Sequence, residues 1–341
     1  MTRKTRSARW LGAAATALLI TTGGIVPAAA APPSPSPTPP AAKSKKATTR
    51  TTKAPGSRGA FALPNAVGSC GENRFTSCGI FNATIDQFAG IPGGPSTLIG
   101  SWHIEFLMRM TSAADSGTVT VNVTAEVTAT GTPVPGAWHL YLSYLDSDAP
   151  GGQSFKQFDV ALVPGLVANG SGTFTPAAYN TAPPRTRLVY RWDDTTPVPG
   201  DNGVGATTSG LEVRCDNVVR ATVGCVNPNY LPTVNFPNAP TVTSHIRAAQ
   251  AQGKPSTLTK NSPATDANRR AACGNAEAVL GPKPSPDSTC DEYPFASTSE
   301  GGAGASIAWV PAAENSSQGG TLAGMTAANR VIDGDRYDVI P

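Results

Sequence analysis

Two adjacent carboxylates stand out in the stretch STCDEYPFASTSEGG near the C-terminus. Asp291 and Glu292 follow Cys290 and precede an aromatic-proline pair, and Glu300 follows just before two glycines. A disulfide at Cys290 would hold the backbone before the pair, and Pro294 restricts it afterwards, because proline fixes its own φ and limits its predecessor. Carboxylates held in this way suit two jobs: accepting a proton from water, and binding a hard cation such as Mg²⁺.

A polar helix start, ENSSQGG, comes after the carboxylates. Asn315 offers a side-chain oxygen that suits either a metal ion or a helix N-cap, and residue chemistry alone favours the cap. Gln318 is the alternative polar group on the metal side if Asn315 caps the helix. Paired carboxylates also occur in glycoside hydrolases, but neighbours in a strand point to opposite faces, which makes an acid–base pair across a sugar awkward.

Helices and strands together must position these residues. PTVTSHIRAAQAQG predicts a helix over residues 242–252, from its Thr/Ser start and Gly stop, and TDANRRAACGNA predicts another with Thr265 or Asp266 as N-cap. ASIAWVP predicts a strand, and SSQGGTLAGMTAANRVI predicts a helix that leads to a short strand ending in DRYDVIP. The section from about 205 to 341 is therefore predicted to be an α+β domain.

These motifs resemble the NucA/NucB-type family of secreted bacterial deoxyribonucleases over residues 205–341. The resemblance rests on the D-E-[WY]-P-x-A core, the following E-G-G, the Asn before a Gly-rich helix, and RVIDGDRYDV; the segments VRCDN, GCV, SHIRAAQA and ANRRAACG also resemble longer members. It implies a non-specific, metal-dependent endonuclease acting on DNA. It also implies a ββα-metal core, in which a β-hairpin presents a general base and a helix presents a metal-binding Asn.

The resemblance assigns roles to individual residues. Asp291 becomes the general base or its immediate partner, Glu292 a metal-linked carboxylate, Glu300 a residue that orients water or metal, and Asn315 a ligand of Mg²⁺ or Mn²⁺. Most ββα nucleases use His as the base, but this motif contains none, and His245 lies 46 residues before Asp291 in a predicted helix. We therefore expect a carboxylate to take that role.

Substrate contacts are expected from basic and amide side chains. Arg269, Arg270 and Arg330 are candidates for phosphate contact, with Gln318 beside them, although such arginines are more often surface or ion-pair residues. Some shorter members carry an acidic residue where this chain has Thr289, which leaves open which of the two adjacent carboxylates is the base. Because an unperturbed carboxylate is a weak base at neutral pH, we expect burial or crowding to raise the pKa of one of them.

Residues 60–200 are predicted to form a β-rich accessory domain. Runs such as GTVTVNVTAEVTATG alternate apolar and polar residues between turn signals, which is typical of an antiparallel β-sandwich. We place the domain boundary near residue 200, and no ligand of this domain is indicated. Its core aromatics and structural histidines are predicted to be Trp102, Trp138, Tyr141, Trp192, His103 and His139.

The N-terminus indicates export. Residues 1–30 have the basic, apolar and small-residue regions of a signal peptide, so the protein is expected to be secreted and extracellular, without membrane insertion after cleavage. Residues 31–59 are rich in Pro, Thr and Lys and lack large apolar side chains, which predicts a disordered linker. The linker is interpreted as a solvated spacer, with contact to cell-wall polyanions or nucleic acid as the alternative.

Net charge and cysteine content argue against two kinds of site, a broad DNA-binding face and a zinc site. The formal net charge is +3, but the signal and linker hold ten basic residues and no acidic ones, which leaves 16 basic against 23 acidic residues from Ala60 onward. A broad electropositive DNA-binding face is therefore not expected. Six cysteines in an exported chain predict disulfides rather than a zinc site, in the local pairs Cys70–Cys78, Cys215–Cys225 and Cys273–Cys290.

The sequence is compatible with two functions. The first is a secreted nuclease, and the second is a secreted binding or structural protein with a degenerate nuclease domain. The intact DEYP, EGG and Asn elements favour the nuclease, because a degenerate site should have lost at least one of them.

Overall fold

The computed structural model describes residues 43–52, 61–62, 69–90, 96–145, 153–176, 186–194 and 205–341. The predicted signal peptide lies outside the described residues, and so does the predicted linker apart from residues 43–52. Within the described ranges, no helix is both long and apolar enough to cross a membrane.

Strands make up the first part of the described chain. They are β1 Lys43–Thr52, β2 Phe61–Ala62, β3 Ser69–Cys70, β4 Thr76–Gly90, β5 Ser96–Ala113, β6 Ser116–Gly131, β7 Ala137–Leu145, β8 Gln153–Ala161, β9 Val167–Phe174, β10 Thr186–Asp194, β11 Gly205–Asp216 and β12 Gly224–Val226. Two five-stranded antiparallel sheets result, in the orders β1-β4-β5-β6-β9 and β12-β11-β10-β7-β8.

Alternating apolar residues explain why the two sheets pack face to face. In β6, Val119 and Val121 are buried, and the residues between and beside them are more exposed. Phe81 and Phe106 of one sheet pack against Tyr190 of the other, with ring centroids 5.1 and 5.4 Å apart. The predicted antiparallel β-sandwich is confirmed. Of its predicted core aromatics, Tyr141 is half-buried. The other three are buried: Trp102, Trp138 and Trp192.

Two predicted boundaries differ from the structure. Residues 43–52, predicted to be disordered linker, form β1 and pair with β4. The domain boundary near residue 200 falls between β10 and β11, which are neighbours in one sheet. The Cys215–Cys225 disulfide then joins β11 to β12 at facing positions. Residues 205–226 therefore complete the sandwich, because strand pairing continues across the polar loop that suggested a boundary.

Helices appear in the C-terminal part of the chain. Its elements are β13 Thr233–Val234, α1 Pro240–Ala251, β14 Thr257–Thr259, α2 Thr265–Cys273, α3 Ala276–Leu280, β15 Ser288–Tyr293, β16 Ser306–Pro311, α4 Ala312–Ala328 and β17 Arg336–Val339. Strands β13 and β14 flank β17 in a small mixed sheet. β15 and β16 form an antiparallel hairpin, and α4 follows it directly, so the chain has the predicted ββα order in an α+β fold.

Helix starts depend on contacts from other elements. α1 begins two residues before the predicted position, and Glu314 of α4 accepts hydrogen bonds from the N–H groups of Thr241 and Val242, at 2.7 and 3.3 Å. The first-turn N–H groups, which have no partner within a helix, are thus satisfied by a neighbouring helix. The predicted N-cap of α2 is wrong, because a 3₁₀ turn at Ser262–Ala264 runs directly into that helix.

Three arginines and two carboxylates, here called the arginine clamp, join the sandwich to the C-terminal part. Arg214 of β11 donates to both oxygens of Asp335, at 2.5 and 2.6 Å, and Arg74 donates to the same carboxylate at 2.8 Å. In the opposite direction, Arg330 donates to the carboxylate of Asp216 at 2.9 Å. Arg330 and Asp216 are fully buried, and residues 41–341 form one compact unit.

Candidate active site

A cleft with a volume of about 340 Å³ lies between the hairpin and α4. β15 contributes Asp291 and Glu292, and α4 contributes Asn315 and Gln318, which are three residues apart and therefore share one helix face. With Arg269 of α2, the structure thus brings together five of the residues that sequence analysis singled out. Two cationic side chains complete the charged and amide lining: Lys260 and Arg269.

Asp291 is buried, with 2% of its surface exposed, and one of its oxygens is paired with an imidazole. His245 Nδ1 lies 2.7 Å from Asp291 Oδ2, and His245 Nε2 lies 3.0 Å from Ser306 Oγ. No hydrogen bond from the described residues reaches the other oxygen, Oδ1. Asp291 is among the residues that line the cleft, and Oδ1 is the oxygen of its carboxylate that has no hydrogen-bond partner among the described residues.

His245 is the site residue that sequence analysis missed. Sequence analysis gave His245 no role because it lies 46 residues before Asp291, but α1 packs beside the hairpin and brings the two side chains together. A signal existed in the sequence. Val242, Ile246 and Ala249 form the buried face of α1 with helical spacing, and His245 falls on that same face.

Glu292 faces α2 and is 9% exposed. Its Oε1 lies 3.7 Å from Arg269 Nε, and the backbone N–H of Ala296 donates a hydrogen bond to the carboxylate. The Cys273 sulfur, 3.4 Å from Oε2, is a contact only, because a disulfide sulfur has no proton to donate. Burial raises the pKa of Glu292, Arg269 opposes that rise, and the adjacent Asp291 carboxylate adds to it.

Asn315 lies inside α4 rather than at its start. The helix begins at Ala312 with Pro311 before it, so Asn315 is the fourth helical residue and the N-cap interpretation is wrong. Its Nδ2 donates to the carbonyl oxygen of Cys290 at 3.3 Å. This bond orients the amide and leaves Oδ1 without a hydrogen bond from the described residues.

Gln318 is 6% exposed, and its Nε2 has no hydrogen-bond partner among the described residues. A buried amide without a partner costs about 1–3 kcal/mol, and such groups are rare in folded proteins. Gln318 also lines the cleft, so this buried and unpaired nitrogen belongs to a residue of the cavity wall.

Glu300 is not among the residues that line the cleft. Its Oε2 accepts a hydrogen bond from the N–H of Thr259 at 2.9 Å, which ties the turn after β15 to β14. The two glycines that follow are required by geometry: a Cβ at Gly301 would lie 2.4 Å from the Phe295 carbonyl oxygen, and Gly302 has a φ of +106°. The structure gives Glu300 a hydrogen bond between two segments of the fold and places it outside the lining of the cleft.

Of the three candidate arginines, Arg269 alone lines the cleft. Arg270 is exposed elsewhere on α2, and Arg330 is fully buried in the arginine clamp, where no phosphate could reach it. Lys260, which the sequence did not single out, also lines the cleft, with its Nζ 3.8 Å from the Asp333 carboxylate. The cationic lining therefore comes from Lys260 and Arg269.

One disulfide lies directly beside the site. The Cys273–Cys290 disulfide joins α2 to β15, with 6.0 Å between the Cα atoms, and fixes the backbone immediately before Asp291. Together with Cys215–Cys225, two of the three predicted pairs are present. Cys78 is also disulfide-bonded, and the side chain of Cys70, its predicted partner, lies outside the described residues.

Oxygen donors of the kind that hard cations prefer are present in the cleft: the carboxylate of Glu292 and the amides of Asn315 and Gln318. The described residues contain no group of three His, Cys, Asp or Glu side chains that could hold a metal ion. A cation here would therefore have few protein ligands, with water and substrate phosphate completing its shell. That arrangement suits Mg²⁺, which keeps several waters when bound.

Comparison with known proteins identifies the C-terminal part. Residues 245–340 match the model of the family described as Deoxyribonuclease NucA/NucB, so this part contains a NucA/NucB-type domain. The match begins at His245 and includes each cleft residue named above. No curated protein matches the chain.

The chain also shows similarity to a solved structure, the crystal structure from microfluidic crystals of a glycosyl hydrolase family 2 (GH2) member from Bacteroides cellulosilyticus. The sequence identity is 13% and the TM-score is 0.20. The match covers 42% of this chain and 20% of that chain, so this chain spans about a fifth of the length of that protein.

Proposed function

We propose that this protein is a secreted, metal-dependent endonuclease that hydrolyses the phosphodiester bonds of extracellular DNA without sequence specificity. The family match supports deoxyribonuclease activity at the level of the family. The observation that carries the proposal for this chain is the cleft itself, which is lined by Asp291, with one oxygen held by His245 and the other unpaired, and by Gln318, whose amide nitrogen is unpaired.

Asp291 is the proposed general base. Its free oxygen takes a proton from a water molecule, and that water forms a new bond to phosphorus as the bond to the leaving sugar oxygen breaks. The leaving oxygen then takes a proton from solvent. Glu292 is less suited to this step, because Arg269 and the Ala296 N–H already engage its carboxylate.

Asn315 and Glu292 are the proposed metal ligands, with Gln318 beside them. A bound Mg²⁺ or Mn²⁺ ion would stabilise the negative charge that develops on the phosphate. Arg269 and Lys260 contribute positive charge at the same cleft and are the proposed phosphate contacts. Because the chain from Ala60 onward carries an acidic excess, binding depends on this local charge and on the metal.

Export of the protein fits the same function. The N-terminal sequence has the regions of a signal peptide, and the disulfides at Cys215–Cys225 and Cys273–Cys290 are typical of an oxidising environment. The proposed substrate is therefore DNA outside the cell.

A plasmid assay tests the proposal. The mature protein is incubated with supercoiled plasmid and Mg²⁺ or Mn²⁺, with and without EDTA, and nicked and linear products are measured. We expect cleavage at unrelated positions that EDTA abolishes and added metal restores. Absence of cleavage with either metal, or cleavage that persists in EDTA, would contradict the proposal.

A further inference from the structure

A chain of two hydrogen bonds runs from Asp291 through His245 to Ser306. Asp291 Oδ2 lies 2.7 Å from His245 Nδ1, and Ser306 Oγ lies 3.0 Å from His245 Nε2. The imidazole and the carboxylate are 7% and 3% exposed at their side chains, so the bond between them is shielded from bulk water, and the bond to Ser306 is partly buried. The Ser–His–Asp order resembles a hydrolytic triad, but its placement relative to the cleft is different.

The cleft is lined by Asp291 and not by His245 or Ser306. Of the three residues in this chain of hydrogen bonds, Asp291 is therefore the one that belongs to the cleft wall. A serine outside that wall cannot attack a molecule bound in the cleft. The arrangement instead holds one carboxylate oxygen of Asp291 and leaves the other without a hydrogen bond from the described residues.

The hydrogen-bond network assigns the imidazole tautomer. An ionised carboxylate can only accept, so a singly protonated imidazole beside it carries its hydrogen on Nδ1, and its Nε2 can then accept from the Ser306 hydroxyl. Ser306 thereby favours the tautomer that can donate to Asp291. The same two-sided arrangement orients histidines that serve as ligands or bases elsewhere in proteins.

Helix α1 fixes the imidazole in space. Its first turn is held by Glu314, and its apolar residues Val242, Ile246 and Ala249 are buried on the face that carries His245. Ser306 lies in β16, where it pairs with Tyr293 of β15. α1 and β16 thus fix the imidazole of His245, and the imidazole in turn restricts the rotation of the Asp291 carboxylate.

We propose that His245, kept in one tautomer by Ser306, is a positioning residue that holds Asp291 so that its free oxygen faces the attacking water. This inference rests on the proposed function, since it gives Asp291 the role of base. His245 touches neither the substrate nor the metal. Because a misplacement of about 1 Å at a reacting group can cost on the order of 100-fold in rate, we expect its loss to lower kcat rather than to raise KM.

Two amide substitutions of His245 separate its two hydrogen bonds. In His245→Asn, the amide nitrogen can take the place of Nδ1 and still donate to Asp291. In His245→Gln, the longer side chain reaches the position of Nε2 and keeps the bond to Ser306 but not the one to Asp291. The matched control is His139→Asn in the sandwich, where His139 Nδ1 lies 2.6 Å from Asp159 Oδ1, far along the chain from the cleft residues.

The measurement is kcat and KM for plasmid or oligonucleotide cleavage at saturating Mn²⁺, with thermal melting to confirm folding. We expect His245→Asn to remain within about threefold of wild-type kcat and His245→Gln to lose about 10- to 100-fold, with KM and the metal concentration for half-activity unchanged. Ser306→Ala, which removes one hydroxyl, should lose a few-fold, and His139→Asn should match wild type.

The inference is wrong if folded His245→Gln equals or exceeds His245→Asn in kcat, or if the loss lies in KM alone. If neither histidine variant folds, Ser306→Ala decides, and a wild-type kcat there contradicts the inference. Asp291→Asn separates this outcome from failure of the proposed function. Full activity in Asp291→Asn would show that Asp291 is not the base, which contradicts the proposed function. An inactive Asp291→Asn together with a fully active His245→Gln would contradict only the positioning role of His245.

Discussion

At the residue scale, the cleft combines polar groups that are buried but only partly paired. Asp291 has one oxygen bonded to His245, Asn315 has its nitrogen bonded to the Cys290 carbonyl, and Gln318 has no hydrogen bond from the described residues. Each leaves an unpaired polar atom beside the same cavity. Unpaired buried groups lower the stability of the ligand-free protein, and they gain bonding partners when metal, water and phosphate bind.

Gln318 allows a direct test of this trade between stability and activity. Gln318→Leu removes an unpaired buried amide at similar volume, so we expect the free energy of unfolding to rise by about 1–3 kcal/mol and activity to fall about 10- to 100-fold. Urea denaturation and plasmid cleavage measure the two effects. Gln250→Leu is the control: that amide donates to the Tyr293 hydroxyl and the Val339 carbonyl, so its loss should destabilise the fold. A less stable Gln318→Leu with full activity would refute the ligand role.

Glu292 predicts a pH dependence of stability in metal-free protein. Burial raises its folded pKa above the ordinary value of 4.5, so between those two values the folded state binds more protons than the unfolded state. Stability is therefore lost as pH rises through that interval. In EDTA, we expect Glu292→Gln to be more stable than wild type at pH 8 and nearly equal at pH 4, as measured by urea denaturation.

Asp159 supplies a control of opposite sign. Hydrogen bonds from Gln157 and His139 lower its pKa, so its contribution is present above the unfolded value and lost as pH falls through the folded value. Because its side chain is 62% exposed, the effect of Asp159→Asn should be small. A Glu292→Gln variant without a pH-dependent difference from wild type would contradict the burial argument.

At the element scale, local sequence signals were enough for the ββα unit but not for its contacts. The strand β16 and the body of α4 follow from apolar patterning, yet α4 starts four residues earlier than Ser316, because no capping side chain marks Ala312. The contact of His245 with Asp291 depends on how α1 packs beside the hairpin. The spacing of residues along the chain does not predict that contact. The sequence indicated only that His245 lies on the buried face of α1.

The E-G-G turn gives the prediction at this scale. Glu300→Ala removes the acceptor for the Thr259 N–H, so we expect a loss of about 1–3 kcal/mol in unfolding free energy, with kcat per folded molecule preserved. Exposed Glu277 on α3 is the matched control and should change stability by less than about 0.5 kcal/mol. A large fall in kcat for folded Glu300→Ala would show instead that Glu300 takes part in catalysis.

At the scale of the whole molecule, the sandwich and the C-terminal part are coupled through the arginine clamp. The sandwich was predictable from regular alternation, as in β6, because each strand carries its own signal. The arginine clamp could not be predicted from the sequence, because its arginines are far apart along the chain and each alone resembles a surface residue. These arginines are Arg74, Arg214 and Arg330. Arg330 follows the end of α4, so the clamp also holds the helix that lines the cleft.

The clamp predicts a large cost for removing one partner. Asp216→Ala leaves Arg330 and Arg214 buried with a lost counter-charge, so we expect the free energy of unfolding to fall by about 3–5 kcal/mol. Arg187→Ala is the control, because its pair with Glu212 is half-exposed at the arginine and should contribute at most about 1 kcal/mol. Equal costs for the two variants in urea denaturation would show that the clamp does not stabilise the fold.

The most direct test of the account is the rate of a single turnover by Asp291→Asn. The substitution preserves size and the acceptor position near His245 but removes the base, so with saturating Mn²⁺ and enzyme in excess over plasmid we predict a cleavage rate about 100- to 10,000-fold below wild type. Metal binding, followed by the Mn²⁺ concentration for half-activity, should change little. A folded Asp291→Asn that cleaves within about tenfold of wild type would contradict the central claim that this carboxylate activates the water.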